Sequence, residues 1–130
     1  MEKKNKKEKR KRLLIVEDEL GPRESLCIIF MDKYDVTIVT SGDAGMRHIV
    51  EHSPDLVILD LNMPGMNGLE VLENIRDTKP ETKVIILTGY GSPETAQKAK
   101  QLGVNAYLNK PFDLFEIRHL VAGILNGDQT

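Results

Sequence analysis

From Leu13 onward, short apolar runs alternate five times with longer stretches in which apolar residues recur every three or four positions. The first pattern suits strands buried on both faces and the second suits amphipathic helices, so their alternation predicts βα units around a parallel sheet. Strands are predicted at residues 13–17, 34–39, 55–60, 83–88 and 105–108. The first helix should begin near Pro22, a residue suited to a first helical turn, and carry Leu26, Ile29, Phe30 and Lys33 along its length. Ser41 or Asp43 can cap the second, which presents Met46, Ile49 and Val50. The third is expected from about Gly68 to Thr78, with Leu69, Leu72 and Ile75 on one face and Pro80 preventing its continuation. Ser92 and Pro93 open the fourth and Gly103 ends it. Its inward candidates, Ala96, Ala99 and Leu102, bury little apolar area, so it should be the most easily shifted element. The fifth, from about Asp113 to Leu125, places Ile117, Leu120, Val121 and Ile124 on one stripe and Phe115 nearly opposite.

A chain of 130 residues suits one domain with a core that needs no disulfides. The single cysteine, Cys27, falls in an apolar helical stretch and reads as a buried, inert thiol. The net charge of -2 is unevenly spread: residues 1–12 carry eight basic and two acidic side chains, +6, which leaves -8 for the remainder. Such a block reads as a solvated, disordered tail at 1–12, ahead of a folded domain at 13–126 and a flexible end at 127–130. No aromatic is interleaved with the basic residues to stack on bases, which weakens a nucleic-acid reading of the tail. No run reaches the length of a membrane span and the first residues lack an apolar export signal, so the cytoplasm is the expected location, with no membrane partner.

The strand ends carry the candidate chemistry. Asp60 closes the run from Leu56 to Leu59 and is delivered into a loop, Leu61 to Gly68, whose Pro64 and Gly65 cannot continue the strand. That is the crevice in which open α/β sheets bind and react, which makes Asp60 a candidate nucleophile. Glu17 and Asp18 end the run from Leu13 to Val16. If the two runs are neighbouring parallel strands, three carboxylates converge, and a hard divalent cation such as Mg²⁺ relieves their repulsion. Lys110, before Pro111 and after the apolar stretch from Ala106 to Leu108, can neutralise one more negative charge, on Asp60 or on a phosphoryl group attached to it.

Glu17-Asp18, Asp60 with its following loop, Thr88 and Lys110-Pro111 together resemble the receiver domain of two-component response regulators, over residues 13–125. The resemblance implies a flavodoxin-like, doubly wound sheet of five parallel strands in the order 2-1-3-4-5, with helices on both faces. It implies that Asp60 accepts a phosphoryl group from a phosphohistidine on a sensor histidine kinase or histidine phosphotransfer protein. It implies further that Glu17, Asp18, Asp60 and the backbone carbonyl of Asn62 hold Mg²⁺, while Lys110 stabilises charge on the transferring oxygens. Glu17 stands where the family commonly has Asp, from which altered metal geometry is expected. Thr88 would then donate to a phosphoryl oxygen, Tyr107 matches the switch aromatic, and the peptide before Pro111 is expected to be cis. Asn62 and Tyr90 should flank the path of the water that attacks the acyl phosphate. Tyr90 offers bulk and no carboxylate there, from which slow self-dephosphorylation is expected.

Two other classes share part of this pattern. Haloacid-dehalogenase-type Mg²⁺-dependent phosphatases also use a strand-end aspartate, but need a general acid two residues on, where this chain has Asn62. A flavodoxin-like cofactor-binding module would share the topology, but no Gly-rich phosphate cradle follows the first strand. The chain is therefore expected to act on its own phosphorylation state only, and not as an enzyme with external substrates. His48, His52 and His119 read as surface histidines without a ligand pattern. Output is expected through the face of helix 4, strand 5 and helix 5, where Tyr107 and Phe115 would lie, toward a downstream protein or an attached output domain; a homodimer stays open. Residues 126–130 leave no room for an output domain, so the chain reads as a stand-alone receiver or a fragment of a longer regulator. Nucleic acid would be reached only through such a missing domain or, less directly, the basic tail. The stretch from Gly21 to Leu26 weakly resembles receivers of nitrogen-regulation-type activators.

Overall fold

The computed structural model describes residues 10–126. The assigned tail and flexible end therefore lie mostly outside the described residues, although Arg12 already pairs with Asp35 as the first residue of a strand. The elements run β1 (Arg12–Val16), α1 (Leu20–Phe30), β2 (Asp35–Val39), α2 (Gly42–His52), β3 (Leu56–Asp60), α3 (Gly68–Thr78), β4 (Lys83–Thr88), α4 (Pro93–Gln101), β5 (Ala106–Asn109) and α5 (Leu114–Asn126). All strand pairs are parallel and the sheet order is β2-β1-β3-β4-β5.

Strand alternation divides the core into two layers. Leu13, Ile15, Leu56, Ile58, Ile85 and Leu87 point toward α1 and α5, where they meet Leu26, Phe30, Ile117 and Val121. Leu14, Val16, Val57, Leu59, Val84 and Ile86 point the other way, toward Ile49, Leu72, Ile75 and Ala99 of α2, α3 and α4. Ala99 is the only fully buried side chain of α4, in keeping with its thin apolar stripe. Phe115 is 80% exposed on the outer side of α5.

The helix ends follow local chemistry. Ser41, Asn67 and Ser92 accept hydrogen bonds from Ala44, Glu70 and Thr95 at the starts of α2, α3 and α4. Gly103, at φ +76, takes the left-handed turn after α4. Four local expectations need correction. Helix α1 starts at Leu20, two residues before Pro22, because proline within the first turn sacrifices no intrahelical hydrogen bond. It also ends at Phe30, which leaves Lys33 in the following turn, where its N–H bonds the Phe30 carbonyl. Val50 is half exposed, because α2 approaches the sheet at Gly45, which lies against Val16 and Val39, and at Ile49. Cys27, read from the sequence as buried, is only half-buried, because Leu26 and Phe30 take the inward face of α1 and Cys27 is turned about 100° from Leu26.

Candidate functional site at the carboxyl edge of the sheet

Parallel pairing of β1 with β3 and β3 with β4 brings the ends of all three strands to one edge. Asp60 is 2% exposed there. Its Oδ1 accepts from the Asn62 N–H at 2.9 Å and its Oδ2 from Lys110 Nζ at 3.0 Å. Lys110 follows β5, its N–H bonded to the Thr88 carbonyl, and precedes a cis peptide to Pro111. Its ammonium also meets Glu17 Oε1 at 3.0 Å and Glu19 Oε1 at 2.7 Å. One cation is thus shared by three carboxylates. Burial works against the Lys110 charge, but the hydrogen bonds to Glu19, Glu17 and Asp60 outweigh it and raise its pKa.

Glu17 is fully buried, and this raises its pKa to about 7. The Glu19 N–H and Lys110 oppose the rise, while Asp60 adds to it. Burial wins although Lys110 is in contact, because that one cation is divided among three acids. Glu17 Oε1 faces Lys110 but has no aligned hydrogen-bond donor.

The acidic group differs in one member from the sequence expectation. Carboxylate oxygens of Glu17, Glu19 and Asp60 lie within 4.8 Å of one another, and Asp18 is not in this group. Asp18 is half-buried, and its backbone carbonyl accepts from Arg23 at 3.4 Å. Glu19 was missed because an exposed acid three residues past a strand looks like ordinary solvated surface; its place in the chain, one residue after an acidic pair at a strand end, was the available signal. The donor set fits a hard cation: three clustered carboxylates, one with a buried oxygen short of a donor, all beside a single ammonium.

Thr88 ends β4 fully buried. Its hydroxyl donates to the side-chain oxygen of Asn62, which also accepts from the Gly89 and Tyr90 N–H groups at 2.8 and 3.2 Å. Tyr90 is 89% exposed and lines, with Asp60, Asn62, Gly89 and Lys110, an open cleft of about 580 Å³. Tyr107 is turned inward: its hydroxyl is buried, and a Cβ on Gly91 would collide with it. Burial raises the Tyr107 pKa; nearby Thr88 offsets part of that rise, although the pair falls short of hydrogen-bond geometry. His48 and His52 stack at 4.5 Å, and among the described residues no third metal-ligating side chain joins them. No helix among those residues is long and apolar enough to cross a membrane.

The chain belongs to the response regulator receiver domain family, whose sequence profile matches residues 13–122. It is 36% identical over 111 residues to sporulation initiation phosphotransferase F of Bacillus subtilis, covering 85% of this chain and 90% of that protein. It is 34% identical to regulatory protein AtoC of Escherichia coli, covering 85% of this chain but 24% of that protein. A CheY-like receiver domain protein from Methanospirillum hungatei superposes with a TM-score of 0.84 at 28% identity, covering 91% of this chain and 95% of the other.

Proposed function

We propose that this chain is a phosphoacceptor switch: Asp60 takes a phosphoryl group from a phosphohistidine of a sensor histidine kinase or histidine phosphotransfer protein. The observation that carries the reading is the buried Asp60 carboxylate held at 3.0 Å from Lys110 with the Thr88 hydroxyl on the neighbouring strand end. In the transfer, an Asp60 oxygen forms a bond to phosphorus while the phosphorus–nitrogen bond breaks. The leaving imidazole keeps that electron pair and takes up a proton. Lys110 neutralises charge on the transferring oxygens, and the Asn62 N–H fixes the other Asp60 oxygen. Mg²⁺ would be held by Glu17, Asp18, Asp60 and the Asn62 carbonyl, with Glu19 now an added candidate; when bound it supplies positive charge to the transferring group. Phosphoryl contact with Thr88, together with the position of Tyr107, would set the face of α4, β5 and α5, where a downstream protein, an output domain or a second copy docks. The chemistry is self-modification, and the cytoplasm is the location in which these donors would be met.

Intact mass after incubation with acetyl phosphate and Mg²⁺ tests this. A single phosphoryl increment is expected, lost in Asp60→Asn and in EDTA; an increment that persists in Asp60→Asn would overturn the assignment. Tyr90, exposed at the cleft and unable to orient water as a carboxylate would, supports slow self-dephosphorylation. Tyr90→Glu should speed phosphoryl loss, and an unchanged decay rate would remove that part of the reading.

A further inference from the structure

Asn62 is bonded in two directions at once. Its backbone N–H holds Asp60 Oδ1, and its side-chain oxygen receives the Thr88 hydroxyl and the Gly89 and Tyr90 N–H groups. Three donors on one atom identify it as the carboxamide oxygen, since the NH₂ group could accept none of them. Three donors also exceed the two lone pairs of an amide carbonyl, and the most distant of them, the Tyr90 N–H, is shared with Thr88 Oγ1 at 3.3 Å. A cage of one hydroxyl and two backbone N–H groups suits an anionic oxygen better, because charge-assisted hydrogen bonds are about twice as strong as neutral ones. Thr88 is buried at the base of this cage, whereas Asn62 sits exposed at its mouth, able to leave without disturbing the core.

We propose that the Asn62 carboxamide oxygen is a built-in stand-in for a phosphoryl oxygen, holding the Thr88–Tyr90 cage until an oxyanion on Asp60 displaces it. This deepens the phosphoacceptor reading and rests on it. Asn62 is then a positioning residue whose displacement sets the threshold of the switch: the new oxyanion must break the Asn62 bonds to gain its own. An anion that offered no stronger acceptor than the amide would leave the cage as it is.

The test uses the full chain, Mg²⁺ and beryllofluoride as a stable phosphoryl analogue, followed by amide NMR. Asn62→Ala should bind the analogue about fivefold more tightly, since one competing set of hydrogen bonds is gone. Without analogue, its Gly89 and Tyr90 amide resonances should shift and exchange faster with solvent. Asn62→Asp, which keeps an acceptor in the cage, should preserve the amide protection and gain no affinity. Native binding with equal or weaker affinity in Asn62→Ala would overturn the competition while leaving the phosphoacceptor reading intact. Absence of any binding to the native chain would overturn both, and unchanged Gly89 and Tyr90 amides in Asn62→Ala would overturn the contact itself.

Discussion

Glu17 combines complete burial with a cation shared among three carboxylates, and its titration records the balance. The folded chain holds its proton up to about pH 7, against 4.5 for the ordinary carboxyl. Between those values the unfolded chain has released a proton that the folded chain keeps, so stability is fully present below the lower value and is lost as pH rises through the upper one. Urea midpoints of the metal-free chain should therefore fall between about pH 5 and about pH 8, and Glu17→Gln should flatten that fall. Equal slopes in the two proteins would show that Glu17 is not the group responsible. Gly91 offers a second test at this scale. A methyl group there would overlap the Tyr107 hydroxyl, so Gly91→Ala should drive the ring outward at a cost of about 1–2 kcal/mol. Near-ultraviolet circular dichroism and the Tyr107 ring resonances would register the move, and an unaltered ring environment would contradict it. Asp60, Glu17, Thr88 and Lys110 were legible because each closes or follows an apolar run. Gly91 was not, since a loop glycine reads as a turn until the ring it admits is seen across the sheet.

At the scale of elements, α4 is held very differently at its two ends. Its thin apolar stripe was legible from Ala96, Ala99 and Leu102; its fastening was not, because that comes from another helix. Arg76 of α3 donates to the carbonyls of Leu102 at 2.6 Å, Thr82 at 2.7 Å, Gly103 at 3.1 Å and Pro80 at 3.2 Å. Its guanidinium joins the carboxyl end of α4 to the loop entering β4, where a cation also complements the helix dipole. Burial lowers its pKa, yet a guanidinium stays charged. The amino end of α4 follows the Thr88–Gly91 segment, so the helix is positioned to pivot about its pinned end. Arg76→Met leaves four carbonyls without that donor and should cost about 2–3 kcal/mol. Hydrogen exchange should quicken at residues 99–104 more than in α5, and uniform protection across both helices would refute the fastening. In sequence, an arginine late in an amphipathic helix carries no sign of which carbonyls it will meet 26 residues on.

For the molecule as a whole, the sheet concentrates charge at the one edge where its core ends. The two apolar layers exclude water behind Glu17 and Asp60, which are 1% and 2% exposed as side chains, and Lys110 is itself only 14% exposed. Parallel topology makes this unavoidable: every strand delivers its carboxyl end to the same side, so the charged residues gathered there must be accommodated by the fold. Among the described residues, Lys110 is the cation that reaches Glu17, Glu19 and Asp60 together. Lys110→Met keeps most of the stem and removes the charge, leaving carboxylates that repel one another in a poorly solvated site. The metal-free chain should lose about 3 kcal/mol near neutral pH, a fall in Tm of roughly 10 °C. Further protonation of Glu17 would limit the loss, so it should shrink as pH drops below 7. A divalent cation held there would compensate the same carboxylates, and one that binds only the folded chain would add stability through its occupancy. Thermal melts of native and Lys110→Met chains with Mg²⁺ or EDTA should therefore show the cation restoring much of the loss, with a larger Mg²⁺-dependent rise in the variant. Equal rises in both proteins would mean that Lys110 and the cation act on different charges, and the shared balance at the sheet edge would be wrong.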